Sequence, residues 1–207
     1  QYPEAAAEEL RQAHGDGALG ALIGANVDGD KLTDPRFATV WQELDRLALP
    51  VIIHPTLPPG AHAMTMEDYH LTAMVGLVFD TTLAIARMIY DGFFDRYPNL
   101  KVIVPHSGGT LPYLAARLDN GYRILPACSA NIDRAPSEYL SQIYFDDSIS
   151  RGDAAALAMG VCGANHYLHG SDYPFIPFQQ SLRWCDSMEV TQRDAILGGN
   201  AQRLFRL

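Results

Sequence analysis

The sequence predicts an α/β protein with a parallel sheet, because short apolar runs alternate with helix-like segments along the whole chain. Runs rich in Val, Ile and Leu, such as 51–54 and 102–105, are typical of parallel strands that are buried on both faces. Three of the apolar runs lead into a polar residue with metal-binding or acid–base chemistry, namely His54, His106 or Asp172. These observations predict both the fold class and the edge of the sheet at which a site would lie.

Each predicted helix carries a local signal. Residues 3–14 are rich in Ala and Glu and are followed by Gly15. Residues 34–49 form an amphipathic pattern, with Asp34 as the N-cap and Pro35 in the first turn. The remaining predicted helices are 75–98, which ends in a short second turn, 109–125, 151–160 and two helices within 178–206.

Five strands are predicted between these helices, at 17–27, 51–54, 102–105, 143–148 and 167–170. Two stretches are predicted as loops, the irregular segment 57–73 and the polar segment 126–137, and connections of such length are often functional. The chain contains no repeat and no linker-like composition. Residues 1–207 are therefore expected to form one domain.

Composition narrows the classes of function. The chain has 15 Lys and Arg against 24 Asp and Glu and contains no basic block, so nucleic acid is not an expected partner. No uninterrupted apolar stretch approaches about 18 residues, which argues against a membrane span. Its 3 cysteines are far apart in the sequence, which is typical of reduced thiols and predicts a cytoplasmic location.

The strand ends are the candidate site. In barrels and open α/β sheets, the C-terminal ends of parallel strands surround the active site, and two imidazoles with a carboxylate are typical of metal chemistry. Each of these residues could instead have a purely structural role. His54 is then a core histidine bonded to backbone, His106 caps the helix that starts near Gly109, and Asp172 is a cap or Asx-turn residue before Pro174.

Three segments carry a resemblance to a known family. HPTLPPG, FDTTLAIARMIYDGFFDRYPNLKVIVPHSGGTLPYLAARLD and HGSDYPF together resemble the amidohydrolase-related family, which includes aminocarboxymuconate-semialdehyde decarboxylase and salicylate- and resorcylate-type decarboxylases. The similarity covers about residues 17–207. It implies a TIM-barrel-like (β/α)8 metal-dependent hydrolase fold, in which this chain supplies the fourth to eighth strands and lacks the first three.

The resemblance also implies roles for the strand-end residues. His54 and Asp172 match two ligands of a divalent metal, which the family completes with an HxH or ExH pair on the absent first strand. His106 matches a histidine that holds and activates metal-bound water, and Asp172 would also carry a proton. Zinc is the metal expected first and manganese the alternative, since both suit mixed imidazole and carboxylate ligands.

Further residues are expected to bind the substrate. Arg117 matches a family arginine that pairs with a substrate carboxylate, a task suited to a planar guanidinium. Its alternative is a surface ion pair with Asp119 or Glu138. Tyr113 and Phe175 are expected to line the pocket.

Three functional interpretations remain open. The first is a metal-dependent, non-oxidative decarboxylase of a small aromatic or unsaturated carboxylic acid, and the second is a lactone or amide hydrolase on the same fold. The third is an inactive fragment of such an enzyme. A homodimer is expected, either through the helix that carries Arg117 or through the exposed strand edges at 20–27 and 167–170.

Overall fold

A computed structural model describes residues 1–148, 152–175 and 182–207 of the chain. Its main sheet has five strands in the order β1-β4-β5-β6-β7, and every neighbouring pair is parallel. Asn26–Val27 (β2) and Asp30–Lys31 (β3) form a small antiparallel pair after β1. The strands of the main sheet are Ala21–Gly24 (β1), Pro50–His54 (β4), Lys101–Val104 (β5), Tyr144–Asp146 (β6) and Tyr167–Leu168 (β7).

Helices connect consecutive strands of the main sheet, as the alternating sequence pattern predicts. Apart from the irregular turn Pro105–Gly108, the α-helices of the described residues are Pro3–Gly15 (α1), Ala38–Leu47 (α2), Leu77–Tyr90 (α3), Phe93–Arg96 (α4), Leu111–Ile124 (α5), Pro126–Ser129 (α6), Pro136–Leu140 (α7), Gly152–Cys162 (α8), Val190–Asp194 (α9) and Asn200–Phe205 (α10). Short 3-10 turns lie at Pro35–Phe37, Asp68–His70, Ala164–His166 and Arg183–Ser187, and π-helical turns lie at Thr72–Gly76 and Ala195–Gly199.

The start of α2 confirms the predicted capping signal. The side chain of Asp34 accepts a hydrogen bond from the backbone N–H of Arg36 at 3.0 Å, and Pro35 occupies the first turn. That turn is 3-10 rather than α-helical. The helix ends at Leu47, and the following residue, Ala48, adopts the left-handed conformation with φ 50°.

Several predicted boundaries are wrong. The strand predicted over 17–27 is divided into β1 and the short strand β2. The polar segment 126–137 is not a simple loop, because it contains α6 and the beginning of α7. Both helices begin at a proline, whose fixed φ suits the first helical position. The long helix with a short second turn predicted over 75–98 is confirmed, by contrast, since α3 is followed by the one-turn helix α4, whose N-cap Gly92 has φ 67°.

Two further predicted segments differ from the structure. The stretch 57–73 ends in helical turns that run into α3. Part of the predicted helical segment 178–206, namely 178–181, lies outside the described residues. The rest of that segment contains a 3-10 turn, α9, a π-helical turn and α10.

The main core lies between one face of the sheet and the helices. Val51 and Ile53 are fully buried on this face, and Trp41 of α2 packs edge-on against Phe93 with ring centroids 5.0 Å apart. The opposite face is covered less completely. On that face, a small hydrophobic cluster around Ile103 of β5 and Leu168 of β7 is buried. Leu22 on the edge strand β1 is 63% exposed.

The segment Asp68–Tyr90 is the one helical stretch in the described part of the chain that is long and apolar enough to cross a membrane by composition. It is not an uninterrupted apolar stretch, because it contains Asp80 and Arg87. Its α3 portion packs in the protein core, where Ile85, Met88 and Ile89 are fully buried and Asp80 hydrogen-bonds to the loop after β4. These contacts are those of a core helix.

Candidate functional site

A cavity of about 740 Å³ lies at the C-terminal ends of the strands. His54, at the end of β4, lines it together with His106 and Asp172, which follow β5 and β7. The parallel register explains this convergence, since matched strands end at the same edge of the sheet. Most of the remaining wall is apolar, including Met74, Leu77, Val78, Pro112, Ala154 and Leu157.

The imidazole of His54 is oriented by the backbone. Its Nδ1 donates a hydrogen bond to the carbonyl oxygen of Pro55 at 3.0 Å. In a neutral imidazole this tautomer leaves the lone pair of Nε2 available, which is the form that binds a metal. The structural alternative of a histidine bonded to backbone is therefore partly correct, but His54 is exposed to the cavity rather than enclosed in the core.

His106 lies beside His54, with ring centroids 6.4 Å apart. Burial lowers the pKa of His106 and the neighbouring His54 adds to this effect, while the carboxylates of Asp146 and Asp172 oppose it. Its Nδ1 is buried and has no hydrogen-bond partner among the described residues, so the ring does not cap the following helix as the structural alternative proposed. A largely neutral imidazole thus faces the cavity near neutral pH.

A short left-handed turn places His106. Residues 106–109 have φ values of 58°, 54°, 75° and 64°. Such a run is unfavourable for residues other than glycine, by about 1–2 kcal/mol each. The backbone N–H of His106 donates to Asp146 Oδ1 at 3.0 Å, which helps to hold the turn. The glycines fit because a Cβ on Gly108 would lie 2.7 Å from the ring of Phe145.

Asp146 is a supporting residue that the sequence analysis did not identify as part of the site. It is partly buried, and desolvation raises its pKa. In addition to His106, its Oδ1 accepts hydrogen bonds from the backbone N–H and the hydroxyl of Ser148, at 3.0 and 2.7 Å. One carboxylate therefore joins the turn after β5 to the end of β6.

A second carboxylate supports the loop after β4. Asp80 of α3 accepts hydrogen bonds from the backbone N–H and hydroxyl of Thr56 at 3.0 and 3.1 Å, and from Nδ2 of Asn26 at 3.0 Å. Thr56 lies two residues beyond His54. A single acidic residue inside a mostly apolar helix was the available sequence signal for this network.

Asp172 lies in a turn with φ 53°, and its carbonyl oxygen accepts a hydrogen bond from the N–H of Phe175 at 2.9 Å. Tyr113 and Phe175 line the cavity as predicted and are 80% and 84% exposed. These aromatic side chains therefore stand at the mouth of the cavity.

Arg117 is not among the described residues that line the cavity. Its side chain is exposed on α5 and has no ion pair within the part of the chain that the structure describes. The alternative partners are engaged elsewhere, since Asp119 accepts from the N–H of Ser137 and Glu138 accepts from that of Ala135. The alternative of an ion pair with Asp119 or Glu138 is thus not seen among the described residues.

The donor types at the cavity suit a divalent metal, but the described residues do not complete a site. The Nε2 of His54 and the carboxylate of Asp172 are ordinary ligands for zinc or manganese. Across 1–148, 152–175 and 182–207, no group of three or more His, Cys, Asp and Glu side chains is placed to hold a metal ion. A divalent metal at this cavity would therefore need ligands in addition to His54 and Asp172.

Comparison with known proteins gives consistent matches. The 2-amino-3-carboxymuconate-6-semialdehyde decarboxylase of Dictyostelium discoideum is 33% identical over 214 residues, a match that covers 100% of this chain and 59% of that protein. The crystal structure of 5-carboxyvanillate decarboxylase from Sphingomonas paucimobilis superposes with a TM-score of 0.91 at 26% identity, over 100% of this chain and 64% of that one.

A third relative is a solved dihydroxybenzoic acid decarboxylase from Polaromonas sp., which contains manganese and an inhibitor, 2-nitroresorcinol. It has a TM-score of 0.86 at 26% identity, over 99% of this chain and 66% of that one. The chain therefore spans about six tenths of the length of its relatives, and the similarity confirms the predicted barrel-type fold. A family model described as amidohydrolase matches residues 1–207, and the chain belongs to this amidohydrolase family.

Proposed function

We propose that the protein to which this chain belongs is a metal-dependent, non-oxidative decarboxylase of a small aromatic or unsaturated carboxylic acid. The observation that carries the proposal is the cavity at the strand ends, where His54, His106 and Asp172 face largely apolar walls. Its volume of about 740 Å³ lies within the range of small-molecule sites. The decarboxylases that resemble this chain support the same reaction class.

His54 and Asp172 would hold the divalent metal, together with ligands from outside this chain segment. When bound, it would offset the charge of the substrate carboxylate and lower the pKa of bound water. We propose zinc or manganese, and the manganese in the Polaromonas relative makes manganese the first metal to test.

The side chains of the cavity would transfer protons and position the substrate. Asp172 would deliver a proton to the ring carbon that bears the carboxylate. The carbon–carbon bond then breaks, its electron pair returns to the ring system, and carbon dioxide leaves. His106, whose pKa is lowered by burial, would exchange protons as a neutral base near pH 7. The apolar wall, including Leu77 and Leu157, would pack against the faces of the ring.

A hydrolase of a lactone or amide is the second candidate, because similar donor sets also serve attack by metal-bound hydroxide. Two assays on the full-length gene product, loaded with manganese or zinc, separate the candidates. Release of carbon dioxide from hydroxylated benzoates and unsaturated acids supports the decarboxylase. Ring opening of lactones without carbon dioxide release contradicts it. Inactivity of the 207-residue chain in both assays would support the inactive fragment.

We further propose that the protein is a cytoplasmic homodimer with α5 at the interface. Arg117 is exposed and unpaired within the described residues, so a second subunit offers the contact that this chain does not supply. In that arrangement Arg117 would bind the substrate carboxylate in the neighbouring cavity. Light scattering of the full-length protein, with a mass of two chains expected, tests the association.

A further inference from the structure

We infer that Asp147 is a positioning residue for Asp172, because it anchors His169 and Gly170, which begin the short segment that leads from β7 to that residue. The inference rests on the proposed function for the role of Asp172. The anchor itself consists of contacts within the described chain. Asp147 directly follows β6, and its partners are His169, Gly170 and Trp184.

The side chain of Asp147 has no exposed surface and that of His169 is 13% exposed. The carboxylate accepts hydrogen bonds from Nδ1 of His169 at 3.0 Å, from the N–H of Gly170 at 2.5 Å and from Nε1 of Trp184 at 2.6 Å. A buried carboxylate is costly unless it is paired and hydrogen-bonded, so these donors are required for its burial. The pKa of His169 is raised by its bond to Asp147.

The backbone continues this attachment beyond the sheet. The N–H of Asp147 donates to the carbonyl of Leu168 at 3.1 Å, and the N–H of His169 donates to the carbonyl of Ile196 at 3.1 Å. His169 is therefore held at its main chain and at its ring. Gly170 and Ser171 are all that separate it from Asp172, so little freedom remains for the position of that carboxylate.

The same framework extends to the other side of the cavity. The indole of Trp184 packs edge-on against the ring of Tyr167, with centroids 5.9 Å apart and planes at 88°. The hydroxyl of Tyr167 shares a hydrogen bond of 2.6 Å with that of Ser107, the neighbour of His106. Loss of the Asp147 carboxylate should thus loosen the turn of Asp172 first and reach His106 only indirectly.

The test compares Asp147→Asn with Asp95→Asn in the full-length protein. Asp95 also pairs with a cation, since its carboxylate accepts a hydrogen bond from Arg134 at 2.9 Å. It lies on α4, which leads into the N-terminal end of β5, whereas the cavity lies at the C-terminal ends of the strands. We expect Asp147→Asn to speed hydrogen–deuterium exchange across 169–173 and to raise the dissociation constant for Mn²⁺ about tenfold or more, the effect typical of residues that orient ligands. Asp95→Asn should change neither quantity.

Variants of His169 keep the test decisive if Asp147→Asn does not fold. His169→Asn retains a donor near the position of Nδ1 and should bind Mn²⁺ more tightly than His169→Ala. Equal affinities for the two variants would overturn the inference. Faster exchange in Asp147→Asn with an unchanged affinity for Mn²⁺ would assign a purely structural role and would also overturn it.

A reference variant separates this inference from the proposed function. His54→Ala removes a proposed metal ligand without touching the Asp147 contacts. If His54→Ala leaves the affinity for Mn²⁺ unchanged, the proposed metal site is wrong. If His54→Ala abolishes binding whereas Asp147→Asn does not weaken it, the metal site stands and the positioning role is overturned.

Discussion

Gly108→Ala tests whether the left-handed turn after β5 is a structural requirement of the site. Gly108 has φ 75°, and a Cβ at this position would lie 2.7–2.9 Å from three atoms of the buried Phe145 ring. Real Cβ atoms essentially never approach so closely, so the turn, the ring or both must move. Because His106 belongs to the same turn, the movement should also displace its imidazole.

The magnitude follows from two contributions. A left-handed conformation costs an alanine about 1–2 kcal/mol. Overpacking against a fully buried ring adds about 1–3 kcal/mol. We therefore expect Gly108→Ala to lower the free energy of unfolding by about 2–5 kcal/mol. A shift of the His106 turn would relieve part of this strain and bring the loss towards the lower end of the range.

Urea unfolding of the full-length protein, followed by circular dichroism, measures this change. Gly160→Ala is the matched control, since Gly160 lies within helix α8 and its Cβ would meet nothing within 4 Å. That substitution should stabilise the protein by about 0.5–1 kcal/mol, because alanine favours a helix interior. Equal unfolding midpoints for the two variants would refute the reasoning about the turn.

Four further outcomes are expected. Asp172→Asn should abolish turnover with the fold intact, and a kcat within about tenfold of the unaltered protein, or about 1.4 kcal/mol of barrier, would contradict its role. The 207-residue chain alone should retain little metal after dialysis against a chelator, which elemental analysis checks. Arg117→Glu should shift the mass in light scattering from two chains to one if α5 forms the interface. Burial lowers the pKa of His106 in the folded protein, so the unfolded chain binds a proton at this residue more readily. The free energy of unfolding should therefore decrease as the pH falls below about 6.5, the pKa of an unperturbed histidine. His106→Gln should reduce this loss between pH 7.5 and 5.5 in urea titrations.

The parallel sheet was predictable because its signals are local. Each apolar run specifies a buried strand, and alternation with helices specifies parallel pairing. The ends of β4 and β5 fall within one residue of the predicted ends, which is why His54 and His106 could be placed at one edge of the sheet before their geometry was known. Pro126 and Pro136 show the limit of such signals, since each starts a short helix inside a segment that reads as a loop.

The supports of the site could not be predicted, because they depend on contacts between distant residues. Asp146 and Asp147 are adjacent in sequence and look equivalent, yet one holds the turn of His106 and the other holds the segment before Asp172. Strand pleating sends neighbouring side chains in opposite directions, and only the assembled sheet decides what each one meets. Arg117 is the converse case. Its helix was predictable, but a side chain on an exposed face acquires its role from the molecule that covers it, and the sequence of one chain carries no local signal for that surface.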